Sequence, residues 1–184
     1  PKRDVFLKRS LQQYTCHSYY FVSIIWFSFQ FFSVFAILPT LFVLVLRSVT
    51  RPNLTKNKDI VLFPKVPDDI KSRFSLFYVK KPLGYLKFRD LKYVFKLLFK
   101  GGFRPYFLFR SVWKIAVYSE LIDTYQPERI WVTQEMVFES SLLTNYLDSF
   151  GIRHVNFMHG VNYFSIQVAF SSFHDFFIWD EFYI

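Results

Sequence analysis

The chain is short of four things, and the first three shortages each remove a class of function. It has one cysteine, Cys16, among 184 residues, so an internal disulfide and a cysteine-based zinc knuckle or finger are both excluded. It has five glycines, and none forms the G-x-G-x-x-G or G-x-x-x-x-G-K-[ST] loops that cradle phosphates. G-x-S-x-G and H-E-x-x-H are absent as well. It lacks a D-x-D pair, which argues against a sugar-nucleotide site built on a divalent metal, and no metal ligand set is expected. Finally, it has no Asp, Glu, Lys or Arg anywhere in residues 10–46.

What fills that uncharged stretch is apolar. Residues 19–46 are 28 positions of mostly Phe, Val, Ile, Leu and Trp, interrupted by Ser23, Ser28, Gln30, Ser33, Pro39 and Thr40. About 20 apolar residues are enough to cross the hydrocarbon core of a bilayer. Lys8, Arg9, Arg47 and Arg51 flank the run, and Tyr19 and Tyr20 stand where interfacial aromatics belong. Residues 1–50 therefore read as a hydrophobic, membrane-associated helical segment that spans the bilayer or lies in its interface. A buried helix pair broken at Pro39 is the soluble alternative.

The formal net charge of +9 is unevenly spread. Residues 1–55 carry six basic groups and one acidic, and residues 56–114 carry fifteen and four; residues 115–184 carry only Arg129 and Arg153 against nine acids. The larger basic excess follows the apolar run, so the positive-inside rule places the rest of the chain in the cytoplasm. Anionic membrane lipid is the expected partner of the basic block. Nucleic acid is not expected, because the apolar run that precedes the basic block points to a membrane; a nucleic-acid reading would need exposed aromatics interleaved with the basic stripe and a strongly salt-dependent affinity. Lys92, Lys96 and Lys100 fall on one side of a helix expected over 91–99, either a solvated face or a lipid-facing one.

Residues 57–184 read as one α/β domain. Short apolar strands are expected at 59–64, 129–133, 152–158 and 176–179, with a further candidate at 74–79. Helices are expected over 110–125, stopped by Pro127, and over 138–150, ended by Gly151. Residues 129–158 have the length of one βαβ unit, whose right-handed crossover makes its two strands parallel neighbours.

Ligands of such sheets bind at the carboxyl ends of the strands. Glu135 follows the strand at 129–133 and His159-Gly160 follows the strand at 152–158, so one sheet edge would carry both. A histidine beside a carboxylate can take a proton from an attacking hydroxyl near neutral pH, and Gly160 would let a ligand approach the backbone. The plainer alternatives are a histidine satisfied by a loop carbonyl and a glutamate at a solvent-facing helix start. Asn156 is a core residue or a support for the site. His154 and His174 read as structural.

The segments Val155-Asn156-Phe157-Met158-His159-Gly160 and Asp175-Phe176-Phe177-Ile178-Trp179-Asp180 resemble those of GT-B-type glycosyltransferases of bacterial surface-polysaccharide synthesis. Among these are the CDP-glycerol glycerophosphotransferase-like and polysialyltransferase-like enzymes of capsule and teichoic-acid assembly. The resemblance covers about residues 129–181. It implies a Rossmann-like N-terminal half of a GT-B fold, with His159 as acceptor-activating base, Glu135 orienting it, and Gly160 and Asn156 near the substrate.

It also implies a lipid-linked or glycan acceptor and no cofactor in this segment. The nucleotide-activated donor would be held by a second domain beyond these residues, and the chain alone is expected to be inactive. Beginning at Pro1 and stopping soon after an apolar run, it reads as a fragment of such an enzyme at the cytoplasmic face of the bacterial inner membrane. The rival expectation is a non-catalytic, membrane-anchored module that binds anionic lipid or a partner protein.

Overall fold

Among the described residues five short runs form one sheet: β1 (Asp59–Leu62), β2 (Leu76–Val79), β3 (Arg129–Thr133), β4 (Arg153–Phe157) and β5 (Asp175–Phe177). The computed structural model describes residues 18–49, 54–62, 71, 73–79, 82–101, 104–133, 139–157 and 171–177. The strands lie in the order β2-β1-β3-β4-β5, and every pairing is parallel. In β1, β3 and β4 the successive residues Ile60-Val61-Leu62, Ile130-Trp131-Val132 and Val155-Asn156-Phe157 are all buried, as expected where a parallel sheet is covered on both faces. The edge strands β2 and β5 are short and half exposed, which limits the unpaired backbone they offer. The expected 129–158 unit holds, with β3 and β4 adjacent, parallel, and paired from Arg129 opposite Arg153 to Thr133 opposite Phe157.

Among the described residues four helices accompany the sheet: α1 (Tyr19–Arg47), α2 (Phe88–Gly101), α3 (Pro105–Tyr125) and α4 (Ser140–Asp148). α3 starts five residues before the expected Arg110. Pro105 occupies its first turn, where a missing N–H leaves nothing unsatisfied and the fixed φ already suits a helix. Gln126 closes α3 in the left-handed region at φ 46°, its N–H donating to the Ile122 carbonyl, and Pro127 follows. Gly151 adopts φ 69° after α4, the turn its position in the sequence implies.

The two sheet faces are packed differently. Ile60, Leu62, Ile130 and Val132 point toward the helices and share a core with Val112, Ile115, Ala116 and Leu121 of α3 and Leu143 and Leu147 of α4. The opposite face is a smaller cluster of Val61, Trp131, Val155 and Phe157, with Phe74 and Leu76 against it. There the Trp131 ring stacks on Phe157 at 5.0 Å and touches Phe177 at 5.5 Å and Phe74 at 4.9 Å.

α1 is continuous through Pro39 and docks along α3. Ile37 and Leu44 enter the main core, with Leu41 and Val45 beside them. The Tyr106 ring stacks on Phe29 at 5.1 Å and meets Trp26 edge-on at 5.5 Å, while the Tyr106 N–H donates to Gln30 Oε1 at 3.3 Å.

The segment 84–86 is wedged between these two helices. Tyr85 N–H donates to the Ala116 carbonyl and Leu86 N–H to the Leu44 carbonyl, while Gly84 N–H donates to Glu120 at 2.7 Å. Gly84 has φ +86°, and a Cβ there would stand 2.9 Å from the Val117 nitrogen. Gly151 also has positive φ but nothing within 4 Å of its missing Cβ. Gly151→Ala is therefore expected to carry only the left-handed penalty of about 1–2 kcal/mol. Gly84→Ala adds a clash against helix backbone and is expected to lose roughly 1–3 kcal/mol more. Denaturant titration of the two variants in detergent checks the difference; equal losses would contradict the wedge.

Candidate functional site at the carboxyl edge of the sheet

β1, β3 and β4 leave the sheet along one edge, at Leu62, Thr133 and Phe157. Val132 pairs with both Leu62 and Asn156, and Thr133 with Phe157. The sheet grows outward from β1 to β2 in one direction and from β3 to β4 and β5 in the other. Connections therefore diverge between β1 and β3, the kind of point at which parallel sheets open a ligand crevice beyond their carboxyl ends. Glu135, His159 and Gly160 lie outside the described residues. The described strand ends that lead to Glu135 and His159, each two residues further along the chain, are paired neighbours. Asn156 is described: it is fully buried in β4, one residue before the edge, and its place in the strand alternation puts it on the helix-facing side with His154.

A charged pair that the sequence did not suggest stands at the start of α4, the helix that follows β3. Glu139 is fully buried at the N-cap, and Arg110 of α3 grips it with Nε at 2.8 Å from Oε1 and Nη2 at 3.3 Å from Oε2. The hydrogen bond from Nη2 and the ion-pair contact at Nε together tie the start of α4 to α3. The Arg110 guanidinium also lies 5.6 Å from the centre of the Tyr106 ring. In the sequence Arg110 is one of fifteen basic residues in its block, and its carboxylate is 29 positions away, so spacing gives no cue.

The two described histidines are held by the scaffold. His154 is fully buried, with Nδ1 2.8 Å from Thr144 Oγ1 and Nε2 3.2 Å from the Tyr118 hydroxyl. Thr144 also donates to the Ser172 carbonyl in a short bond. One hydroxyl proton cannot serve both partners, so the pattern closes with His154 protonated on Nδ1 and Tyr118 donating to Nε2. His174 Nδ1 accepts from the His154 backbone N–H at 2.8 Å, and its Nε2 donates to Asp148. Together these side chains tie β4 to α3, α4 and the entry to β5, in agreement with the structural role read from the sequence.

The remaining polar clusters belong to the other end of the sheet. α3 is joined to the start of β3 by only three residues, so its C-terminal turns lie toward the amino edge. There the buried Asp90 accepts from Lys87 N–H at 2.7 Å, Ser119 at 2.6 Å and Tyr146 at 2.6 Å. Asp123 nearby binds Arg89, Lys87 and Tyr85. Two charge clamps line the same edge: Arg129 with Asp59, which also accepts from the Trp131 indole, and Arg153 with Asp175. These bonds stitch elements together. Among the described residues no cluster of His, Cys, Asp or Glu is arranged to hold a metal ion.

Burial, followed by the neighbouring carboxylate of Asp90, pushes the Tyr146 phenol far above its ordinary value; burial and Asp123 do the same for Tyr85. A phenol whose folded-state pKa is raised stabilises the fold fully below its unfolded value of about 10, and that contribution is lost as pH climbs above it. Stability is therefore expected to fall above about pH 10, with a shallower slope in Tyr146→Phe. That variant should also lose about 1–3 kcal/mol at neutral pH, because Asp90 keeps its burial and loses a donor. Denaturation monitored between pH 8 and 11 checks both signs.

Comparison of the chain with protein-family models, with curated proteins and with solved structures gives no match, so the likeness carried by residues 155–160 and 175–180 rests on those residues themselves.

Proposed function

We propose that the chain is the acceptor-side domain of a membrane-associated glycosyltransferase or polyol-phosphate transferase of bacterial surface-polysaccharide synthesis, working at the cytoplasmic face of the inner membrane. The observation that carries this reading is the parallel pairing of β3 with β4, Thr133 opposite Phe157. It makes neighbours of the two strand ends from which Glu135 and His159 follow. The order β2-β1-β3-β4-β5 is the flavodoxin-like order of parallel sheets, which shares with Rossmann sheets a ligand crevice at the switch point, and this supports the α/β part of the reading.

In this reading His159 removes the proton from an acceptor hydroxyl as its oxygen attacks the nucleotide-linked donor, and the nucleotide leaves with the bonding electron pair. Glu135 orients the imidazole and stabilises its protonated form. Gly160 gives the acceptor room against the backbone, and buried Asn156 supports the turn from below. The donor belongs to a second domain, and the acceptor is a lipid-linked or growing glycan held near anionic lipid. The broad exposed face of α1 favours one other reading, a non-catalytic membrane-anchored module.

Full-length protein carrying His159→Ala is expected to lower polymer synthesis about 10²–10⁴-fold, the usual contribution of a general base, at unchanged protein level and membrane location. Glu135→Gln should lower it less. His154→Ala, by contrast, should reduce accumulation of the protein itself. Polymer production that survives His159→Ala removes this histidine from the chemistry and leaves the membrane module.

A further inference from the structure

α1 presents two opposite stripes. Trp26, Gln30, Ile37, Leu41 and Leu44 face α3 and the main core. Phe27, Phe31, Phe35, Leu38, Phe42 and Leu46, at spacings of four, four, three, four and four, are each more than half exposed. Only 17% of the most apolar window of this helix is buried. On the open side the Ser28 hydroxyl is already used, donating to the Ile24 carbonyl at 2.9 Å. Protein–protein interfaces carry about one hydrogen bond per 100–200 Å² and a polar rim, and this face offers almost nothing to bond. The Leu86 to Leu44 backbone bond sets the 83–88 segment beside α1, and Leu83 and Phe88 there are 69% and 88% exposed. Lys92 and Lys96 on α2 are exposed as well, a charge that suits anionic headgroups.

The length of the α1 seam decides how such a helix can meet a bilayer. Contacts with the domain run from Trp26 to Val45, about 28 Å at 1.5 Å per residue, nearly the whole hydrocarbon thickness of about 30 Å. A spanning α1 would carry the domain into the bilayer with it. Phe29 stacks on Tyr106, and the Tyr106 ring faces Arg110, which is ion-paired to Glu139; this charge pair would then lie at hydrocarbon depth, where ionised side chains are strongly disfavoured.

From this geometry we infer that α1 does not cross the membrane but lies in its plane, embedding the Phe27–Leu46 stripe, with Leu83 and Phe88, in one leaflet while the sheet stays in water. The inference is independent of the chemistry at His159. Single cysteines Ser18→Cys and Val49→Cys, in a Cys16→Ser background of the full-length protein, place a thiol at each end of α1. An in-plane helix labels at both positions from the same side with a membrane-impermeant maleimide, in spheroplasts or in inverted vesicles but not in both. Labelling from opposite sides overturns the inference. Phe31→Asp is expected to weaken partition onto phosphatidylglycerol-containing vesicles at least tenfold. Unchanged partition, or a wild-type protein that self-associates in solution and ignores vesicles, overturns it too.

Discussion

The seam between α1 and α3 is the constraint on which the rest of the structure depends. It is made by side chains that interlock at helical spacing and is closed by backbone hydrogen bonds through a three-residue wedge. Gly84 sits where no Cβ fits, Tyr85 binds the Ala116 carbonyl, and Leu86 binds the Leu44 carbonyl. Hydrocarbon is as apolar as leucine, so burying Ile37 or Leu44 gains little for a helix that could remain in lipid. The seam holds because it also satisfies the Tyr106 and Leu86 N–H groups at α1, groups that would be costly to leave unpaired in an apolar setting.

From that seam the polar architecture divides. Toward the amino edge, Asp90, Asp123, Asp59 and Asp175 each engage donors from other elements, and these closed networks fix α2, α3 and α4 on the sheet. Toward the carboxyl edge the described polar groups are fewer: Arg110 and Glu139 hold the first turn of α4, and Asn156 is buried beneath the edge. The division is the usual arrangement in parallel sheets, with one end serving stability and the other left to loops that meet ligands.

The sheet was readable in the sequence because both-face burial makes strands of continuous apolar residues. Arg129–Thr133 is found where it was expected, and β4 begins one residue later than expected, its described part running to Phe157. The βαβ length alone made β3 and β4 neighbours. The ends of α3 were less legible, since Pro105 starts a helix instead of preventing one. The docking of α1 was not legible at all: a run apolar on every side gives no moment to say which face meets protein. Its buried stripe is distinguished only by modest residues such as Gln30 and Ser33. The Arg110–Glu139 pair was hidden for a related reason, because tertiary pairing carries no local spacing.

The docking of α1 onto α3 at the membrane is the central claim, and crosslinking in native membranes tests it most directly. With Cys16 replaced by serine, Gln30→Cys and Tyr106→Cys should be joined efficiently by a short bis-maleimide, since the Gln30 side chain meets the Tyr106 backbone. A Phe35→Cys and Tyr106→Cys pair should not be, because Phe35 lies on the opposite, exposed stripe. Crosslinking of the first pair alone is the predicted result. Failure of the first pair while the sheet remains folded would mean that α1 leaves the domain when it meets lipid, contradicting the account.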